Sequence, residues 1–228
     1  MGGVCKETAN DSVEAKGVPK NVGLMWFRSD LRVVDNTALI ASSRHCNSVL
    51  AVFVSTPMQW HEHHVAPIKI DLIHRRLVVL RQQLAKLNIP LTVVEVADYE
   101  QTPQAILELV RLHNIKHVFC NKQYEWNERQ RDSLTAQLLK KHKIEFSAFD
   151  DECILAPGKV LTRKEEPFKV FTPFRREWLN IYRMEMPKVM AIPAKLNRSE
   201  SLDTVFSKSC NQFTYPACDS VRWPVDEE

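Results

Sequence analysis

Glycine is scarce. Five occur in 228 residues, at Gly2, Gly3, Gly17, Gly23 and Gly158. None fits the G-x-G-x-x-G or G-x-x-x-x-G-K spacing, so both glycine-built phosphate cradles are excluded. Cysteine never forms a Cys-x-x-Cys pair. The six stand apart at Cys5, Cys46, Cys120, Cys153, Cys210 and Cys218. That spacing argues against a zinc or dithiol site and leaves them as small apolar packers. No sign of charge dominates. Thirty-one basic and 28 acidic residues give +3, too little to argue for a nucleic-acid surface. No apolar run approaches the ~18 residues of a membrane span. Residues 1–20 lack a signal-peptide core and read as a disordered leader. The expectation is a cytoplasmic protein with no membrane partner. What remains is ordinary: 44% hydrophobic and 26% charged residues, as in a soluble globular chain. The length suits one sizeable α/β domain plus extra segments.

Five runs read as strands: Val22–Phe27, Val49–Val54, Leu91–Val96, His117–Cys120 and Glu145–Phe149. Helical patterns separate them. The clearest runs from Pro67 to Asn88, where Ile70, Ile73, Leu77, Leu80, Leu84 and Leu87 form one apolar stripe. Pro67 suits its first position, and Asn88 with Pro90 ends it. Thr102 reads as a cap with Pro103 in the first turn, before Ile106, Leu107 and Val110. A further helix is expected from Asn127 to Lys143, with Leu134 and Leu138 inward and Lys140, Lys141 and Lys143 at its negative end. Alternating strands and helices predict a doubly wound, five-stranded parallel sheet of Rossmann-like type over residues 21–150. Residues 151–185 read as loop and then helix, from Pro173 to Met184, completing the domain. Residues 186–228 are polar and aperiodic, and read as an interdomain linker. A linker that joins nothing points to a truncated gene product.

Charge stands where glycine is usual. Val22–Phe27 leads into Arg28, Asp30, Arg32, Asp35 and Asn36, at the sheet edge where α/β folds bind ligands. The spacing favours scaffold: the charges pair with each other, and Asp35 or Asn36 caps the next helix. After the fourth strand, Asn127 reads as a helix cap and Glu128 as a first-turn acid. The same pair fits a ligand. A carboxylate takes a two-pronged hydrogen bond from the N–H/NH2 edge of a pterin or guanine, and an amide meets the remaining mixed groups. His61, His63 and His64 lack the spacing of a helical metal pair and read as a solvated loop, with one histidine available to an aromatic ligand. Arg163–Trp178 interleaves bases and aromatics. Glu165, Glu166 and Glu177 dilute its field, so an interdomain contact is favoured over nucleic acid.

Four segments together resemble the DNA photolyase/cryptochrome family. They are Trp26-Phe27-Arg28-x-Asp30-Leu31-Arg32-x-x-Asp35-Asn36, Thr56-Pro57-x-Gln59-Trp60, Gln123-Tyr124-Glu125-x-Asn127-Glu128-Arg129-x-Arg131-Asp132 and Lys169-Val170-Phe171-Thr172-Pro173-Phe174. The resemblance covers residues 22–228 and looks closest to bacterial cyclobutane pyrimidine dimer photolyases with a folate antenna. It implies an amino-terminal α/β domain that holds 5,10-methenyltetrahydrofolate and passes light energy to FAD in a helical carboxyl-terminal domain. Carried over by motif, Asn127 and Glu128 hold the pterin and His63 lies near it. Tyr124 and Trp126 are expected as neighbours. The expectation is that the helical flavin domain is absent here, and with it the FAD site and the lesion pocket, so that damaged DNA would be met only through that domain. The expectation is the antenna half of a carbon–carbon lyase, not repair-competent alone and with no catalytic residue of its own. A cryptochrome-type photoreceptor fragment, a free-standing pterin-binding module and an adenine-nucleotide enzyme of shared architecture are the alternatives.

Overall fold

A computed structural model describes residues 21–207 and 218–226. Five parallel strands form one sheet: β1 (Val22–Phe27), β2 (Ser48–Ser55), β3 (Leu91–Glu95), β4 (His117–Asn121) and β5 (Glu145–Phe149). Their order is β3-β2-β1-β4-β5. Each strand lies within a residue or so of its expected bounds. The helices are α1 (Thr37–His45), α2 (Pro57–Glu62), α3 (Pro67–Lys86), α4 (Thr102–Leu112), α5 (Trp126–Lys141), α6 (Phe171–Met184) and α7 (Asp203–Ser207).

β1 is central, with every residue buried, because helices cover both sheet faces. Its side chains alternate between two cores. Met25 and Phe27 join Phe53, Phe119, Leu77, Leu80 and Leu84 on one face. Leu24 and Trp26 join Val52, Val118, Ile106, Val110 and Leu139 on the other. Leu24 sits in register with Leu50 and Val118. Gly23 is required by space: a Cβ there would stand 2.6 Å from Cys46 Sγ and 3.3 Å from the Phe119 ring. Cys46 and Cys120 are buried and free, as packing cysteines should be.

The chain runs outward from β1 in both directions, to β2 on one side and β4 on the other. The crevice beyond the carboxyl ends of β1 and β4 is therefore the topological switch point, where such sheets bind ligands.

Several expectations need correction. The expected stripe of α3 is seen: Ile70, Leu77, Leu80 and Leu84 are buried, and Ile73 and Leu87 pack against that core. In α5 the buried face is Arg131, Thr135 and Leu139; Leu138 packs against the second core as expected, whereas Leu134 is 49% exposed. The polar residues won that face because it closes over Trp26 at its start. Asn127 is no cap; Glu125 precedes the helix and Asn127 lies in its first turn. Gln101, not Thr102, precedes α4. The histidine segment is partly helical, with His61 in α2 and His63 just after it. α6 begins at Phe171, two residues before Pro173, and buries no residue.

Residues after Pro187 do not hang free where they are described. Met190 exchanges backbone and side-chain hydrogen bonds with Asp35. Leu196 N donates to Leu87 O at 3.0 Å. Leu202 and Val205 enter the second core. Ser220 is wholly buried against α3, where Asp71 accepts from its backbone N–H at 2.9 Å and from its hydroxyl. Arg75 and Arg76 donate to the carbonyls of Ser220 and Val225 at 2.6 and 2.7 Å. The expected leader, Cys5 and Cys210, and residues 208–217 and 227–228 of the expected linker lie outside the described residues. Among the described residues no helix is long and apolar enough to cross a membrane.

Candidate functional site

The charged loop after β1 bonds to itself, through Arg28 N to Asp30 and Arg32 to the Asp35 carbonyl, and sends its ion pairs across the fold. Arg28 is buried and its Nη1 meets Asp132 at 3.3 Å. Arg32 meets Asp151. Asp30 accepts from Arg28 N at 2.8 Å and from Asn121 Nδ2 at 2.6 Å. Asn36, not Asp35, caps α1, accepting from Leu39 N at 3.0 Å. Asn121 and Asp151 take the neighbouring N–H groups, from Ala38 and Thr37, each at 3.0 Å. Three orphan donors of α1 are thus satisfied from three segments. The loop is scaffold, and it locks the ends of β1 and β4 together.

Beside this lock lies a cleft of about 400 Å³ lined by the ends of β1 and β2, by α2 and α3, and by the loops after β3 and β4. Phe53, Trp60 and Ile73 give apolar wall, and Glu128, Glu125 and Arg131 give polar wall. A cavity of comparable size, about 410 Å³, sits over Asp30, Arg32, Asn121 and Asp151. Those groups already satisfy one another, so the cleft with a mixed apolar and polar lining is the better ligand site.

The three expected site residues converge on that cleft. Glu128 and His63 line it. Asn127 is exposed at its rim, with Nδ2 3.3 Å from His63 Nε2. Tyr124 and Trp126 are elsewhere. Tyr124 donates to Asp150 at 2.8 Å, and Trp126 is 70% exposed and outside the lining.

The sequence pattern did not reveal the arginine stack under the cleft. The guanidinium of Arg131 lies 4.9 Å from the Trp26 ring and 4.8 Å from the Tyr99 ring. Arg28 also lies over Trp26, at 4.7 Å. Arg131 is oriented by Asp132 at 2.8 Å and Gln123 at 2.9 Å. Tyr99 comes from the turn after β3, which Asp98 closes by accepting from Glu100 N and Gln101 N. Its hydroxyl donates to Glu128 Oε1 at 3.0 Å. Burial, with the Glu128 carboxylate adding to it, pushes that hydroxyl up to about 12, so it remains a donor at neutral pH. Glu152, also in the lining, is held above the usual carboxylate range by partial burial and by its acidic neighbours Glu125 and Asp30. Among the described residues no cluster of His, Cys, Asp and Glu is arranged to hold a metal.

Known proteins share both sequence and fold with this chain. The family profile described as DNA photolyase matches residues 23–194. The deoxyribodipyrimidine photo-lyase of Vibrio cholerae is 44% identical over 205 residues, covering 90% of this chain and 44% of that protein. The corresponding protein of Escherichia coli is 39% identical over 206 residues, covering 90% of this chain and 43% of its own length. The chain thus spans less than half the length of these relatives. A class III photolyase from Agrobacterium tumefaciens, 20% identical, superposes with a TM-score of 0.66 over 94% of this chain and 40% of its own. That likeness speaks for the fold, and the sequence matches carry the descent. Matched over most of its length by profile and relatives alike, this chain belongs to the DNA photolyase family and corresponds to its amino-terminal α/β domain.

Proposed function

We propose that this chain is the light-harvesting antenna domain of a deoxyribodipyrimidine photolyase, and that its cleft takes 5,10-methenyltetrahydrofolate. The observation that carries this reading is the convergence of Glu128, Asn127 and His63 on one cleft at the switch point of the sheet. The residues suit a pterin. Glu128 is half-buried, so a two-pronged hydrogen bond from an N–H/NH2 edge gains strength from partial exclusion of water. The Asn127 amide offers both donor and acceptor to the other polar atoms of the ring. Phe53, Trp60 and Ile73 supply flat apolar contact.

When bound, the folate supplies near-ultraviolet absorption. The chain's own residues fix the orientation of the chromophore, which governs how well energy passes to a second one. The family uses FAD together with a second chromophore. In the full-length protein, the light collected here serves the splitting of pyrimidine dimers in DNA by a flavin domain. On this reading the α/β unit spans residues 21–150, residues 151–185 complete it, and the working compartment is the cytoplasm. The chain alone is not expected to repair DNA.

Loading the purified chain with methenyltetrahydrofolate and removing free ligand by gel filtration tests the site. The wild type is expected to retain a near-ultraviolet band, and Glu128→Ala to lose it. An equal band in both would place the chromophore elsewhere. Retention of ATP instead would favour an adenine-nucleotide protein of the same architecture.

A further inference from the structure

We infer that Tyr99 is a positioning residue of the antenna site, which fixes the Glu128 carboxylate for its ligand. The inference rests on the folate reading and deepens it. Glu128 enters the cleft from the first turn of α5, on a flexible side chain with three rotatable bonds. A two-pronged hydrogen bond to a planar edge needs that carboxylate held in one plane beforehand. The Tyr99 hydroxyl bonds Oε1 at 3.0 Å and leaves Oε2 without a protein partner among the described contacts.

Tyr99 is itself held from the core outward. Its ring lies 4.8 Å from the Arg131 guanidinium, which also lies 4.9 Å from the Trp26 ring. Trp26 is 1% exposed in the central strand. Asp132 and Gln123 fix the rotation of Arg131. A rigid stack, Trp26–Arg131–Tyr99, thus runs from the sheet to one oxygen of the binding carboxylate. Glu125 and Glu152 line the same cleft. Three bases, Arg28, Lys69 and Arg131, line it as well, so the selection of a donor edge rests on the placement of the Glu128 carboxylate, which Tyr99 sets.

A double-mutant cycle with a ligand-free control tests this. Methenyltetrahydrofolate affinity is measured for the wild-type chain, Tyr99→Phe, Glu128→Ala and the double variant. Tyr99→Phe keeps the ring over Arg131 and removes only the hydroxyl. It is expected to weaken binding roughly tenfold, the order expected for one hydrogen bond to a charged group. It is expected to add nothing in the Glu128→Ala background. Undiminished affinity in Tyr99→Phe, or a loss that adds in full to that of Glu128→Ala, would overturn the inference. The control is a ligand-free crystal structure of Tyr99→Phe. Without the donor the Glu128 carboxylate is expected to leave its wild-type plane, and a carboxylate in unchanged position overturns the inference whatever the folate result. A displaced carboxylate in a chain that binds no folate supports the role of Tyr99 and rejects the folate reading alone.

Discussion

Glu128 and Gly23 show how much a single position carries in this chain. Glu128 alone offers a first-turn carboxylate, which favours any helix start. Its meaning comes from Tyr99 on one oxygen and from a cleft on the other side. Gly23 carries weight of another kind. With Cys46 Sγ 2.6 Å from where its Cβ would stand, Gly23→Ala must displace the cysteine or the strand. We expect a loss of about 1–3 kcal/mol in denaturant unfolding, the usual cost of overpacking. Cys46→Ala in the same chain should recover much of it. Unchanged stability in Gly23→Ala would mean that Cys46 turns away at no cost. At this scale motif and chemistry together singled out Asn127, Glu128 and His63, which the fold brings to one cleft. It was silent on Tyr99, which lies in a turn with no periodicity, and on Arg131, which a polar reading assigns to solvent. Both owe their place to ring contacts made across the fold, and no local spacing encodes those.

At the scale of elements, poverty in glycine reappears at the helix ends. Four helices close through residues of positive φ that are not glycine: His64 at 51°, Asn88 at 61°, Asn114 at 50° and Lys143 at 58°. Asparagine tolerates this region, whereas lysine carries the full steric penalty of its Cβ. Lys143 is exposed. Lys143→Gly is therefore expected to raise stability by roughly 0.5–1 kcal/mol, the strain released being partly offset by added freedom in the unfolded chain. Thermal unfolding would read this directly, and a lower midpoint would contradict it. Strands and long helices were legible because β1 is apolar throughout and α3 repeats every three or four residues. The apolar face of α5 was not, since Arg131 and Thr135 fill inward positions that a hydrophobic count leaves to Leu134. α2 escaped notice because six residues are too few to show a period.

For the molecule as a whole, the chief difference from the sequence reading is the course of the chain after Pro187. A stretch without periodicity reads as linker, yet its described residues lie on the domain and two of them enter the core. Polar contacts hold the last of it, above all Asp71 with Ser220. The Ser220 hydrogen bonds hold the Asp71 carboxyl below its usual range despite burial. A carboxyl depressed on folding stabilises the attachment above its ordinary unfolded value, near 3.9. That contribution is lost as pH falls through the lower folded value. Exchange of the Ser220 amide should accordingly be slow at neutral pH and rise, beyond the intrinsic trend, only in strong acid. Asp71→Ala should show fast exchange throughout. Slow exchange in that variant would show that Arg75 and Arg76 suffice to hold the segment.

The central claim is that the cleft beside β1 and β4 receives a pterin at Glu128. A crystal structure of the chain loaded with methenyltetrahydrofolate tests it most directly. The account predicts the N–H/NH2 edge of the pterin within hydrogen-bond distance of the Glu128 carboxylate, with Tyr99 still on Oε1 and Asn127 on the ring. A pterin bound elsewhere on the chain, with Glu128 facing solvent, would contradict it.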